Sequence, residues 1–173
     1  MNNKSVVVAL LVWLILCGCK GPEPQYLAFE TIDQDESGPS GRSYGEEEPN
    51  LLIITRPEEV DTPELDIQFP PALAEQLRAL DYDRSFAIVV FRGLLGARSP
   101  EYTVDILQLI RYEERVVLKA HFGEPGLGSR RYPAFSSPYR VIEVSKEGRW
   151  SQEIRFVLEV DGQEVRERTH FIP

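Results

Sequence analysis

Ile154-Arg155-Phe156-Val157-Leu158-Glu159-Val160, then Asp161-Gly162, then Gln163 to Ile172, is the stretch whose reading decides the fold. Two β-like runs joined by Asp-Gly carry the strongest short-range signal for a hairpin. The chain before it repeats the same character. Phe86-Ala87-Ile88-Val89-Val90-Phe91 is a short continuous run of β-branched and aromatic residues, which reads as a central strand buried on both faces. Tyr102 to Ile106 alternates and Leu107 to Ile110 extends it, and Arg111 to Arg115 makes a polar turn. Val116 to Phe122 alternates again, with Val116, Leu118, Ala120 and Phe122 expected inward. Tyr139 to Val144 is a further strand, and Lys146-Glu147-Gly148-Arg149 turns the chain toward the hairpin.

Ahead of these strands, Leu51 to Thr55 is a short β-like run closed by Arg56-Pro57, and Glu58 and Glu59 suit the start of one helical turn. Pro70 to Leu80 places proline at a first helical position and apolar residues at 73, 77 and 80, an amphipathic helix of about three turns. The expected fold is mainly β. Six or seven strands form an antiparallel meander that closes into a sandwich or barrel, because its edges have to be hidden, with one short N-terminal helix at about 71–80. If Phe86–Phe91 runs up, loops Arg92–Glu101 and Gly123–Ser137 share one end. That rim carries Leu94, Leu95, Arg98, Arg130, Arg131, Tyr132 and Phe135 as candidate partner-binding residues. Long loops on a rigid sheet commonly carry binding function, and Tyr and Arg are the types that most often dominate it. The competing reading is that Leu94, Leu95 and Phe135 fold back over the open end of the core.

The N-terminus sets the location. Met1 to Lys4 precede an almost unbroken apolar run to Leu16, the order of a secretory signal and too short for a typical spanning helix. Leu16-Cys17-Gly18-Cys19 resembles the bacterial lipoprotein lipobox, with Cys17 where Ala or Ser is commoner. The resemblance implies a signal peptide over 1–18, a diacylglycerol thioether on Cys19, and a bacterial lipoprotein held outside the cytoplasm. The membrane is the cell membrane, or the outer membrane of a two-membrane cell. Several acyl chains give stable attachment where one is marginal. The alternatives are a short uncleaved anchor and ordinary cleavage that leaves a free thiol.

Both cysteines fall in the signal and anchor, so the body has no thiol for a disulfide, a thiolate metal site or a nucleophile. Residues 19–49 hold Pro22, Pro24, Pro39 and Pro49 with scattered glycines and acids, the composition of a flexible tether. As a coil it spans about 30 Å. Its apolar patch Tyr26-Leu27-Ala28-Phe29 is expected to be mostly solvated. Between Lys20 and Asp66 lie 13 of the 28 acids but only three of the 19 Lys and Arg, whereas from Ile67 onward 15 acids meet 15 bases. The acidity therefore belongs to the tether and the start of a single domain over 50–173. A neutral body lacks the basic face that nucleic acid requires.

No motif of an active site stands out. The two histidines, His121 and His170, fall in separate strands without a ligand partner at metal-binding spacing, and no metal or cofactor is expected. Ser136-Ser137-Pro138 lacks the context of a nucleophile elbow, and a triad of Ser137, His121 and some acid is the alternative left open. Gly123 to Gly128 has the spacing of a phosphate loop but no lysine, no following helix, and a proline that removes a donor.

One family resemblance covers about a third of the chain. "VVFRG" (Val89 to Gly93), "YTVDI" (Tyr102 to Ile106), "EPG" (Glu124 to Gly126) and "SPYRVIEVSK" (Ser137 to Lys146) resemble, in this order, the PrcB C-terminal domain family, named for a subunit of a bacterial surface protease complex. Pro100-Glu101 stands where the family tends to have Gly-Gly before the Tyr. The resemblance implies a non-catalytic subunit that binds or stabilises a secreted protease. The expected function is accordingly a membrane-tethered, non-catalytic module that binds an extracytoplasmic protein. A protease inhibitor using the same loops is the second reading, and a hydrolase with an unrecognised site the third.

Overall fold

The computed structural model of the chain describes residues 23–35, 45–61, 65, 67 and 69–173. The expected signal peptide over 1–18 and the expected acylation site Cys19 lie outside the described residues. Nine strands among the described residues make two sheets. β1 (Gln25–Tyr26), β5 (Asp105–Tyr112), β6 (Arg115–His121), β8 (Gln152–Val160) and β9 (Gln163–Ile172) form a five-stranded sheet in the order β1-β5-β6-β8-β9. β2 (Phe29–Asp35), β7 (Tyr139–Ser145), β4 (Ser85–Phe91) and β3 (Asn50–Ile54) form a four-stranded sheet in the order β2-β7-β4-β3.

The period-2 pleat of β4 explains why this strand organises the molecule. Phe86, Ile88 and Val90 point into the space between the sheets, where they meet Leu109, Leu118, Phe156 and Leu158. Phe86 packs edge-to-face on Trp150 and Phe156, with ring centroids 5.2 and 5.9 Å away. Ala87, Val89 and Phe91 point the other way, into a second core with Leu52, Ile54 and Val141. That second core is roofed by α1 (Glu58–Asp61) and α2 (Pro71–Arg78). Every residue of β4 is buried, as its uninterrupted apolar run predicts. Each large aliphatic side chain so buried contributes about 1.5–3 kcal/mol. The architecture is three layers: helices, four-stranded sheet, five-stranded sheet.

α2 begins with Pro71 at its first turn and lays Leu73, Ala74 and Leu77 on the sheet. It ends two residues before the expected Leu80. The β8–β9 hairpin forms as its sequence demands, with Asp161 and Gly162 at φ of 51° and 85°. Two positive-φ positions are what a two-residue type I′ turn requires.

The meander is corrected. β4 to β5 and β6 to β7 are crossovers between sheets, and β8 returns to lie parallel to β6. Neither sheet closes into a barrel, and the sandwich-like part of the expectation holds. Loop length alone does not decide the crossings: loops 92–104 and 122–138 carry the chain from one sheet to the other, but so do the short segments 27–28 and 146–151, whereas the tight turns at 113–114 and 161–162 keep it in one sheet. The patch at Tyr26-Leu27-Ala28-Phe29 is also corrected. Leu27 is buried in the main core and Phe29 packs against it, while Tyr26 remains exposed. β1 pairs with β5 and β2 with β7, so the stretch read as tether contains two edge strands of the domain. Strand β5 starts at Asp105, later than the expected Tyr102, and runs on through Arg111 to Tyr112, so the turn is Glu113-Glu114 alone.

Candidate functional site

Phe91, the last residue of β4, pairs with Tyr139, the first of β7, and with Asn50, the first of β3. Loop 92–104 leaves the four-stranded sheet at this end and loop 122–138 comes back to it. Because they travel in opposite directions they pair with each other, through antiparallel bridges at Leu95–Ser136 and Arg98–Tyr132. The Leu95 amide donates to the Ser136 carbonyl at 2.8 Å, and the Tyr132 amide to the Arg98 carbonyl at 2.9 Å. The shared rim expected from strand direction is thus a joined pair of loops.

Arg92 is the residue that fixes this pair, and sequence reasoning did not single it out. Its side chain is buried, with the guanidinium 4.9 Å from the ring centroid of Tyr102 and 5.5 Å from that of Phe122. It donates to the Gly123 carbonyl and to Glu124 Oε1. One cation therefore holds the exit of loop 92–104 and the entry of loop 122–138. The signal was an arginine placed directly after an apolar strand. Gly93 follows at φ of 103°, where a Cβ would collide with the Glu47 carbonyl. A second clamp acts further out. Glu101 Oε2 accepts from the Gly126 amide at 3.0 Å and from Ser129 Oγ at 2.6 Å. These bonds, the Ser129 hydroxyl foremost, hold the Glu101 carboxyl below its ordinary range.

Leu94 and Leu95 are half-buried, and neither packs against the two cores among the described residues. Arg98, Arg130, Arg131, Tyr132 and Phe135 are exposed, Tyr132 at 51% and Phe135 at 75%. Leu127, absent from the expected set, is fully exposed at the tip of loop 122–138. Arg98, Pro100, Tyr132 and Ala134 line an open, predominantly apolar groove of about 550 Å³ between the loops.

The β8–β9 turn comes to the same end of the molecule, since Ala120 pairs with Val160. His121 Nδ1 lies 2.7 Å from Asp161 Oδ1, and this bond above all raises the imidazole pKa, with Asp105 adding and Arg92 opposing. His170 lies elsewhere, 3.4 Å from Thr55 Oγ1 and 3.9 Å from Glu59 Oε1. It is half-buried between β9 and α1, whereas a solvent-face position was expected. Ser137 is fully buried and its hydroxyl finds no partner among the described residues, so the Ser137–His121 triad is not assembled. Among the described residues no group of three or more His, Asp or Glu is placed to hold a metal ion. Among them, too, no helix is long and apolar enough to cross a membrane.

The class defined by fold and site is a three-layer β domain with a rim built from two paired crossover loops. No family model, curated protein or solved structure matches the chain.

Proposed function

We propose that the protein is a membrane-tethered, non-catalytic binding module, anchored outside the cytoplasm through an acylated Cys19, whose paired loops engage an extracytoplasmic protein. One observation carries the reading: two crossover loops, bridged to each other and pinned by a buried arginine, hold Leu127, Tyr132 and Phe135 in solvent at one end of a rigid sandwich. Large apolar side chains exposed side by side with arginines are the usual composition of a protein-binding patch. The residues that resemble the PrcB C-terminal family lie in β4, the start of β5, β7 and the loops between these strands, and on that resemblance the partner is a protease that the module stabilises or positions.

Affinity capture with the native chain, compared with capture by a triple variant Arg130→Ala, Arg131→Ala and Tyr132→Ala, tests the rim. The reading expects one dominant extracytoplasmic partner that the variant loses, and unchanged capture refutes it. Protease activity that rises on binding supports a stabiliser, and activity that falls supports an inhibitor. Mass spectrometry of the native N-terminal peptide is expected to show acylated Cys19, and an unmodified peptide contradicts the anchor.

A further inference from the structure

The two ends of the sandwich are not equivalent, because the chain enters at one of them and the rim stands at the other. β5 runs from Asp105, opposite His121 at the rim, to Tyr112, opposite Arg115 at the far end. β1 joins the sheet at that far end, where Gln25 pairs with Arg111 and Tyr26 with Ile110. Leu27 is then buried in the main core, so the entry point is fixed to the body. The stretch read as a long tether is therefore shortened, on the side of the anchor, to residues 19–24. Gln25 lies six residues after Cys19, and six residues reach about 20 Å when fully stretched.

That reach decides between two partners of similar appearance. Leu127, Tyr132 and Phe135, exposed beside Arg130 and Arg131, have a composition that suits an anionic lipid surface as well as a protein. From Arg111 back to Asp105 is six residues of strand, a height of about 20 Å before the loops are counted. To turn the rim onto the bilayer that holds Cys19, the entry point would have to rise by the strand and the loops together. A link that reaches no further than the strand alone does not allow it.

We propose that the lipid anchor and the rim occupy opposite poles of the molecule, so that the end carrying Glu113-Glu114 and Arg149 faces the bilayer and the rim faces away from it. The partner is then a protein that meets the rim clear of the lipid headgroups, not the lipid surface and not a membrane-buried segment. The base is held by the short link rather than by an affinity of its own, since Glu113, Glu114 and Glu147 are exposed there with Arg149. This inference rests on the anchor at Cys19 and on the rim being the binding face.

The cysteine content supplies the test. Cleavage removes Cys17 and acylation blocks the Cys19 thiol, so one introduced cysteine is the only reactive thiol of the mature chain. Glu114→Cys at the base and Leu127→Cys at the rim, both exposed, are labelled with a thiol-reactive bimane. Each lipid-modified chain is reconstituted in phosphatidylethanolamine–phosphatidylglycerol vesicles with a nitroxide on the headgroup. Fluorescence at position 114 is expected to be lost to the nitroxide, and fluorescence at position 127 is expected to stay at its level in vesicles without it. Inserting about 20 Gly and Ser residues after Lys20 makes the link a long coil and should restore the fluorescence at position 114. Quenching at position 127 alone, at both positions or at neither overturns the proposal, and quenching at 127 assigns the rim to lipid. Quenching at 114 that survives the insertion overturns the role of the link. Bimane labelling of the native chain rejects the anchor and the orientation with it, whereas an unlabelled native chain with the wrong pattern rejects the orientation alone. Partner capture that survives the Arg130, Arg131 and Tyr132 variant rejects the rim as the binding face, and with it the partner named here.

Discussion

The Arg92 guanidinium sits over the ring of Tyr102, 4.9 Å from its centroid, and thereby ties the end of β4, a strand buried at every residue, to the loop that leaves it. Phe122, its ring centroid 5.5 Å from the same guanidinium, brings in the second loop. A desolvated cation–π contact is worth about 2 kcal/mol and a hydrogen bond to a charged group about 1.5–3 kcal/mol. Arg92→Ala is therefore expected to cost about 2–4 kcal/mol in urea unfolding and to increase hydrogen exchange in residues 122–138. Glu124 is two-thirds exposed, so Glu124→Ala should cost less than about 1 kcal/mol. Equal losses in the two variants would contradict the role given to Arg92.

Leu27 lies at the crossing from β1 to β2 and donates its amide to the Leu109 carbonyl at 3.0 Å. With its side chain in the main core, Leu27→Ala should destabilise by about 2–4 kcal/mol. Its exposed neighbour sets the control, and Tyr26→Ala should change stability by less than about 0.5 kcal/mol. Chemical denaturation of the two variants separates a docked edge strand from a free tether.

These two residues show where sequence reading succeeded and where it stopped. The β8–β9 hairpin was legible because Asp161-Gly162 encodes its own turn, and β4 was legible because six consecutive apolar residues need cover on both faces. β2 was not, since Glu30, Asp33 and Asp35 dilute its apolar positions, as suits an edge strand, and its partner β7 lies more than 100 residues away in sequence. The parallel pairing of β6 and β8 is likewise non-local, set by β7 taking its place between β2 and β4 in the other sheet. At the rim, strand direction brought the two loops to one end. Their bridges and the Arg92 clamp depend on contacts between residues 31 to 41 positions apart, which no local period reports.

The Glu101 clamp makes the loop tip sensitive to acid. Its carboxyl is held below the ordinary glutamate value of about 4.3. A depressed folded-state pKa means that the stabilisation is present above the unfolded value and is lost as pH falls through the folded one. Amide exchange at Gly126 and Ser129 should rise relative to the sheet amides only below about pH 4, and Glu101→Gln should show that rise at neutral pH. Exchange independent of both changes would contradict the clamp.

His121 titrates in the opposite sense. Its pKa is raised, chiefly by Asp161, so the ion pair is fully formed below about pH 6.5 and is lost as pH rises through the elevated folded value. An NMR titration should place the imidazole above about 6.5 in the native chain and return it toward that value in Asp161→Asn. Both groups are exposed, so little change in global stability is expected across that range.

The central claim is that the paired loops are the face that meets a partner. A photo-crosslinking amino acid at Tyr132, compared with one at Glu167 on β9, tests it in the cell that makes the protein. The account predicts a discrete adduct with an extracytoplasmic protein from position 132 and none from position 167. Adducts from position 167 with none from position 132 would contradict it.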